Sequence, residues 1–237
     1  MSIKYPLFIF ICLLLFSCAP NEEEKIQQAK SLMQSEEWDK ALVQLEEAIA
    51  YNDQNPTTFN LRGIIKLEQG LTAAAIADFD RSVALDSSDY RTVYNRGNAH
   101  YQMEEYSKAI DDFDAAIRLQ PKAADIYINR GNTLVNLQQY TRAVLDYSFA
   151  LKLDEDNYLT HFNLGRAYFL MDSLELAGNS FAQSVQIYST FAPAYYFLGM
   201  IAMENDQPDA ACLHLQQAAD LGYQQAEEAK KLYCEAN

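Results

Sequence analysis

Residues 161–181 read HFNLGRAYFLMDSLELAGNSF, and the glycine and phenylalanine of that stretch decide the architecture. Gly165 belongs to a series with Gly63, Gly97, Gly131 and Gly199, each 34 residues from the next. Three more series share the step: Ala41, Ala75, Ala109, Ala143, Ala177 and Ala211; Leu45, Phe79, Phe113, Tyr147, Phe181 and Leu215; and Ala48, Ser82, Ala116, Ala150, Ser184 and Ala218. Series in phase without insertion require a structural unit of fixed size. Glycine inside a helix costs about 1 kcal/mol against alanine, so its recurrence needs a gain such as close approach of a partner helix. The Ala41 series is expected to form the other side of that contact. The aromatic series, four residues later on the same face, is expected to fill the space between hairpins.

His161, Leu164, Gly165, Tyr168, Ala177 and Phe181 follow the spacing W-x₂-L-G-x₂-Y…A-x₃-F, so the stretch resembles the tetratricopeptide repeat. The resemblance implies an all-α fold: two antiparallel helices per repeat, stacked into a right-handed superhelical solenoid. Repeats then fall at 22–55, 56–89, 90–123, 124–157, 158–191 and 192–225, followed by a capping helix at 226–237. Two features depart from the family pattern: Ala29 stands where the first glycine belongs, and the closing proline occurs once, at Pro121. Local signals agree with the boundaries. Asn55-Pro56 reads as an N-cap followed by proline in the first helical position, and Asp206-Gln207-Pro208 does the same inside the last repeat. Glu227, Glu228, Lys230 and Lys231 give the capping helix the polar outer face that a terminal repeat requires.

Composition supports helix. Hydrophobic residues make up 49% of the 237, with only eight glycines and six prolines, too few turn residues for a long all-β chain. The formal net charge is −15, and Lys4 is the only charged residue among the first seventeen. Such a surface repels phosphate backbones, and no basic stripe offsets it, so nucleic acid is excluded as a partner. His100, His161 and His214 occupy three different repeat positions. No metal-ligand spacing, P-loop or glycine-rich dinucleotide turn is present. No catalytic residue, metal or cofactor is expected, and the chain reads as a binding scaffold rather than an enzyme.

The N-terminus reads as a membrane address. Lys4 precedes the apolar run Leu7 to Phe16, which has the form of a signal peptide over residues 1–17. A transmembrane helix needs about 20 apolar residues. Leu15-Phe16-Ser17-Cys18 resembles the bacterial lipobox, although a small residue is commoner than Phe16. The resemblance implies that Cys18 is lipidated, that residues 18–21 form a short tether, and that two or more acyl chains hold the protein on a membrane. The implied location is the bacterial outer membrane, on its periplasmic or cell-surface side. Asn21-Glu22-Glu23-Glu24 has two compatible readings. It is a helix N-terminus with Asn21 as cap and Glu24 closing a capping box, or an acidic run similar to the one that sends some Bacteroidetes lipoproteins to the surface.

In the tetratricopeptide family the fifth, ninth and twelfth residues of each repeat face a concave groove. Carried onto this sequence, they are Tyr94, Asn98 and Tyr101; Ile128, Asn132 and Val135; Phe162, Arg166 and Phe169; and Tyr196, Met200 and Met203. One reading makes these an apolar surface for a peptide or protein of the envelope, with Asn98, Asn132 and Arg166 as polar handles. In the other, some of them fill the turn of the superhelix. The second helices offer no comparable stripe. The family's carboxylate clamp is incomplete: Asn98 and Asn129 match it, but Tyr94, Leu159 and Asn163 occupy its basic positions. The leading expectation is therefore an envelope scaffold or assembly adaptor. The alternative is glycan capture by stacked tyrosine and phenylalanine rings.

Two structural pairings follow from the pattern. Arg62, Arg96 and Arg130 each have an acid sixteen residues on, Asp78, Asp112 and Asp146. Where Leu164 and Leu198 replace the arginine, Ser180 and His214 replace the acid. Contact is expected within a repeat or across neighbours; duplication of repeats two to four would equally copy both residues. Cys212 and Cys234 either bridge the last repeat to the capping helix or are two small core residues.

Overall fold

The computed structural model describes residues 21–235, so Cys18 and the rest of segment 1–20 lie outside it, as do Ala236 and Asn237. The described residues form thirteen α-helices. The first helices of the six hairpins are α1 (Glu22–Gln34), α3 (Pro56–Glu68), α5 (Tyr90–Gln102), α7 (Ala124–Asn136), α9 (Tyr158–Leu170) and α11 (Ala192–Glu204). Their partners are α2 (Trp38–Tyr51), α4 (Thr72–Leu85), α6 (Tyr106–Leu119), α8 (Tyr140–Leu153), α10 (Leu174–Ile187) and α12 (Pro208–Asp220), and α13 (Gln224–Tyr233) follows. Among these residues no helix is long and apolar enough to cross a membrane.

Three residues join the two helices of a hairpin, which leaves room only for a reversal, and one local solution recurs. The N–H groups of Glu37, Leu71, Glu105, Gln139, Ser173 and Gln207 donate to the carbonyls of Leu32, Lys66, His100, Leu134, Tyr168 and Ala202, at 2.8–2.9 Å. This bond closes the helix end, and it places the preceding residue in the left-handed region. Gly70 takes that conformation freely, whereas Glu36, Glu104, Gln138, Asp172 and Asp206 hold φ between 54 and 59°. At the helix starts, Asn21 accepts from the Glu24 N–H at 2.9 Å, and Asn55 caps α3 ahead of Pro56. Glu24 does not close the box in return; its carboxylate accepts from Gln28. Pro208 opens α12, but Gln207 supplies no side-chain cap.

The glycines face the aromatic series of their own hairpin. A Cβ on Gly97 would lie 2.8 Å from Phe113, and one on Gly165 would lie 2.8 Å from Phe181. The sequence-based expectation put the rings between hairpins and the alanines against the glycines. The structure sets each ring against the glycine sixteen residues earlier, and the same rings also reach the next hairpin, Phe113 beside Ile126, Tyr147 beside Leu164 and Phe181 beside Phe197; the glycine's partner is thus the ring rather than the alanine. The Ala41 series packs beside the rings and is fully buried.

From α1 to α9, each first helix also touches the first helix of the next repeat, while second helices pack chiefly on the first helix of their own hairpin and then on the one that follows. The first helices therefore lie on the inner side of the array. At its end the period changes. α12 is one residue shorter than α10, Gly222 (φ 83°) turns a three-residue connection, and α13 begins at Gln224, two residues before the expected start. Ala226 thereby takes the third helical position, buried like Thr58, Thr92, Ile126, Thr160 and Ala194 in the repeats before. Ala226 and Ala229 pack on Leu215 and Ala218, and a Cys212–Cys234 disulfide ties α12 to the end of α13.

The arginines of repeats two to four sit at the hairpin interiors. Arg96 donates to both oxygens of Asp112, from Nε at 3.0 Å and from Nη2 at 2.6 Å. Arg62 and Arg130 hold Asp78 and Asp146 in the same fork. Each carboxylate is buried, which is why a bidentate donor is needed. Three further partners were invisible in the pairwise pattern. Arg96 and Arg130 reach back through Nη1 to Asp80 and Asp114 of the preceding repeat, and Lys66 adds a second cation to Asp78 at 2.7 Å. His100, one 34-residue step from Lys66, lies 3.9 Å from Asp112 and 2.6 Å from Glu105.

Candidate functional site

The inner face carries a depression of about 450 Å³ built by three consecutive first helices: Ile64, Leu67 and Glu68 from α3; Asn95, Asn98, Tyr101 and Gln102 from α5; and Asn129 and Asn132 from α7. Asn98, Tyr101 and Asn132 were expected here. The amides beside them were not, although Asn95, Asn129 and Asn163 form a 34-residue series of their own.

That series braces the array. Asn95 donates to Asn60 Oδ1 at 3.1 Å. Asn129 donates to Tyr94 Oη at 2.8 Å and to Asn98 Oδ1 at 2.9 Å. Asn163 donates to Asn132 Oδ1 at 3.3 Å, and Tyr147 Oη donates to the same oxygen at 2.8 Å. Asn136 donates to Tyr101 Oη at 3.0 Å. Burial pushes the phenols of Tyr94 and Tyr147 above their usual range, so both remain protonated. The polar consequence follows from counting atoms. Asn98 and Asn132 have their carbonyl oxygens engaged by the neighbouring repeat, which leaves their NH₂ groups available at the groove, and Tyr101, accepting through its oxygen, keeps its proton to donate.

The apolar members of the expected stripe are placed differently. Phe162 lies 5.0 Å from Phe191 and 5.6 Å from Phe181, ring centre to ring centre, and Phe169 lies 5.4 Å from Phe197 in an edge-to-face contact. Both belong to the core between repeats five and six. Tyr196 leans on Tyr223 at 5.3 Å. Tyr94 and Tyr101 are half-buried against the Phe113 cluster, and Ile128 and Val135 against the Tyr147 cluster. Met200 and Met203 are half-buried in α11. Arg166 is exposed, with its guanidinium over the Phe162 ring at 5.9 Å. The groove is therefore amide-lined in repeats two to four, and its aromatic side chains mainly support the turn of the superhelix. The second helices expose single leucines rather than a stripe: Leu145, Leu176 and Leu213 are 66%, 49% and 59% accessible. Among the described residues no cluster of histidine, cysteine or acid could hold a metal.

Stacked hairpins with an interior groove and polar inter-repeat ties define a helical-repeat binding scaffold. The chain belongs to the tetratricopeptide repeat family, whose profiles match residues 26–90, 97–138, 131–172 and 192–221. No curated protein matches it in sequence. Among solved structures, it is similar to YrrB, a TPR protein with an unusual peptide-binding site, at 25% identity and a TM-score of 0.68 over 79% of this chain and 97% of that one. PilF of Pseudomonas aeruginosa superposes with a TM-score of 0.76 at 17% identity, over 88% of this chain and 97% of that one. MamA does so with 0.66 at 19% identity, over 70% and 96%.

Proposed function

We propose that this protein is a lipid-anchored adaptor of the bacterial cell envelope whose groove holds an extended segment of a partner protein. The observation that carries the binding mode is the pair Asn98 and Asn132, both with their carbonyls consumed and their NH₂ groups left for a ligand. They stand at the same position of adjacent first helices, which pack about 10 Å apart. A polyproline II segment rises about 3.1 Å per residue with three residues per turn, so every third carbonyl returns to the same side about 9 Å further on, in step with these donors. A peptide backbone supplies such acceptors at a regular interval whatever its sequence. The peptide-binding site of YrrB is consistent with this use of the fold. Anchorage rests on the lipobox-like Leu15-Phe16-Ser17-Cys18. Glycan capture has less support, because Phe162 and Phe169 are half-buried in contacts with Phe191 and Phe197 rather than standing free in the groove.

A photo-crosslinking residue at Gln102, in the groove, is expected to trap a defined partner in intact cells, and one at Leu145, on a second helix, is not. Asn98→Leu with Asn132→Leu should abolish the Gln102 product. Equal products from both positions, or persistence in the double variant, refute the groove. A Cys18→Ala variant that stays in the detergent phase refutes the anchor.

A further inference from the structure

One end of the groove differs in kind from the rest. A second depression, about 220 Å³, adjoins the first at Tyr101 and Asn132 and is lined in addition by Val135, Asn136, Tyr147, Asn163 and Arg166. In a chain with 33 acidic residues against 18 basic ones, no acid lines it. Its one charged group is the Arg166 guanidinium. Arg62, Arg96 and Arg130 are matched to aspartates of the hairpin interiors, and Arg91 to Asp89; Arg166, like Arg81, Arg118 and Arg142, has no carboxylate partner among the described residues, and it alone of these four lines the depression.

The neutral groups around it point the same way. Asn132 Oδ1 accepts from Tyr147 and Asn163, so what Asn132 offers the depression is its NH₂ group. Tyr101 Oη accepts from Asn136, so its own proton remains to donate. Three donors, one of them a planar charged fork, thus face a space with no negative charge to satisfy them. A carboxylate has two oxygens and about four acceptor positions, and a guanidinium meets it in a bidentate pair. A single positive charge in a strongly acidic protein fits a single negative charge better than a dianion.

We infer that Tyr101, Asn132 and Arg166 form a carboxylate subsite at one end of the groove, which anchors a bound peptide through its C-terminus or through one acidic side chain. The subsite rests on the groove reading above and adds what that reading lacks, a charge requirement and a fixed register for the ligand. The residues differ from those of the family's clamp: the positive charge comes from the ninth position of repeat five rather than from the fifth position of an earlier repeat.

The test uses the full chain in detergent and two libraries of acetylated random octapeptides, one ending in a free carboxylate and one in an amide. Captured peptides are sequenced by mass spectrometry for the parent, Arg166→Gln, Arg166→Lys and the control Arg142→Gln, with folding checked by circular dichroism. Loss of one charge-assisted pair corresponds to about a tenfold to hundredfold loss of capture. Preference for the free-carboxylate library, lost in Arg166→Gln and kept in Arg142→Gln, supports the subsite with the peptide C-terminus as ligand. Enrichment of Asp or Glu at one position of the amide library, lost in the same variant, supports it with a side chain as ligand. Arg166→Lys should recover part of either preference, because it keeps the charge and loses the fork. Equal capture of both libraries, without acid enrichment and unchanged in Arg166→Gln, overturns the subsite and leaves the groove standing. Capture of neither library above bare resin overturns both.

Discussion

Replacing Arg96 by leucine removes the fork that holds Asp112. Asp112 is 8% exposed, and in the variant its nearest remaining basic side chain is the His100 imidazole at 3.9 Å. Breaking a buried pair from one side costs about 3–5 kcal/mol, because the other charge is stranded. Arg96 is 22% exposed, so water reaches the site and the lower part of that range applies, about 2–4 kcal/mol. Asp112→Leu strands the arginine less completely, since Asp80 remains 2.8 Å away, and about 2 kcal/mol is expected. The double variant should recover most of the loss, because two apolar residues of similar volume often replace a buried pair at little cost. Repeats five and six show that the position accepts leucine, with Leu164 and Leu198 in the arginine's place. The expected coupling is about 3–4 kcal/mol, against at most about 1 kcal/mol between Arg96 and Asp80, which is 57% exposed. Urea melts of the parent, both single variants and the double variant, read by circular dichroism, give the cycle. A coupling below about 0.5 kcal/mol would mean that the losses add, and the fork would then have no energetic role.

Gly97→Ala should destabilise by about 1–3 kcal/mol despite the better helix propensity of alanine, because its Cβ would fall 2.8 Å from Phe113; Phe113→Leu should rescue part of the loss in the same melts. The Cys212–Cys234 bridge closes a segment of 22 residues, and its reduction should cost on the order of 3 kcal/mol, seen as lost amide-exchange protection confined to α12 and α13. Gln138→Gly should raise stability by about 0.5–1 kcal/mol, since the residue holds φ at 59°; a loss would show that the turn is not strained. Tyr147 keeps its proton in the folded chain above the pH at which an unfolded tyrosine releases it. The contribution is therefore complete below about pH 10 and falls as pH rises further, by up to about 1.4 kcal/mol per unit, and a Tyr147→Phe variant should show a shallower alkaline decline.

The hairpin count, the helix order and the inner position of the first helices were legible because they rest on a period, and a period survives any ambiguity about single side chains. Arg62, Arg96 and Arg130 were paired with the right acids for the same reason. Asp80 and Asp114 escaped notice because each serves an arginine of the next repeat, a relation that no covariation within a repeat displays. The groove was legible as a location and not as a chemistry. Phe162 and Phe169 occupy ligand-facing positions by register, yet Phe191, at the end of the same repeat, and Phe197, from the next, pack against them. Whether such a ring is surface or core depends on the partner's side chain 30 or so residues away in sequence, and on the small rotation between repeats. Asn95, Asn129 and Asn163 were visible as a series all along, and only the donor and acceptor atoms show what they do.

Those atoms link assembly to binding. The contacts that tie Asn129 to Asn98 and Asn163 to Asn132 set the angle between consecutive hairpins, and they also decide which end of each amide faces the groove. A groove amide without the brace would rotate about its terminal bond and offer oxygen or nitrogen according to the ligand. With the oxygen engaged, it offers a donor, and the ordering cost of that side chain is met on folding rather than on binding. The position of the donors along the groove is then the superhelical step itself, so a change that alters the stacking of repeats three to five must alter ligand register as well. Asn129 and Asn163 therefore act as positioning residues. Asn163→Leu combined with Tyr147→Phe, which removes both donors to Asn132 Oδ1 and keeps Tyr101, Asn132 and Arg166, is expected to free the Asn132 amide and weaken a peptide anchored at Arg166 while the hairpins themselves stay folded. Retention of full peptide capture in that variant, with its circular dichroism unchanged, would show that the brace and the binding surface are independent.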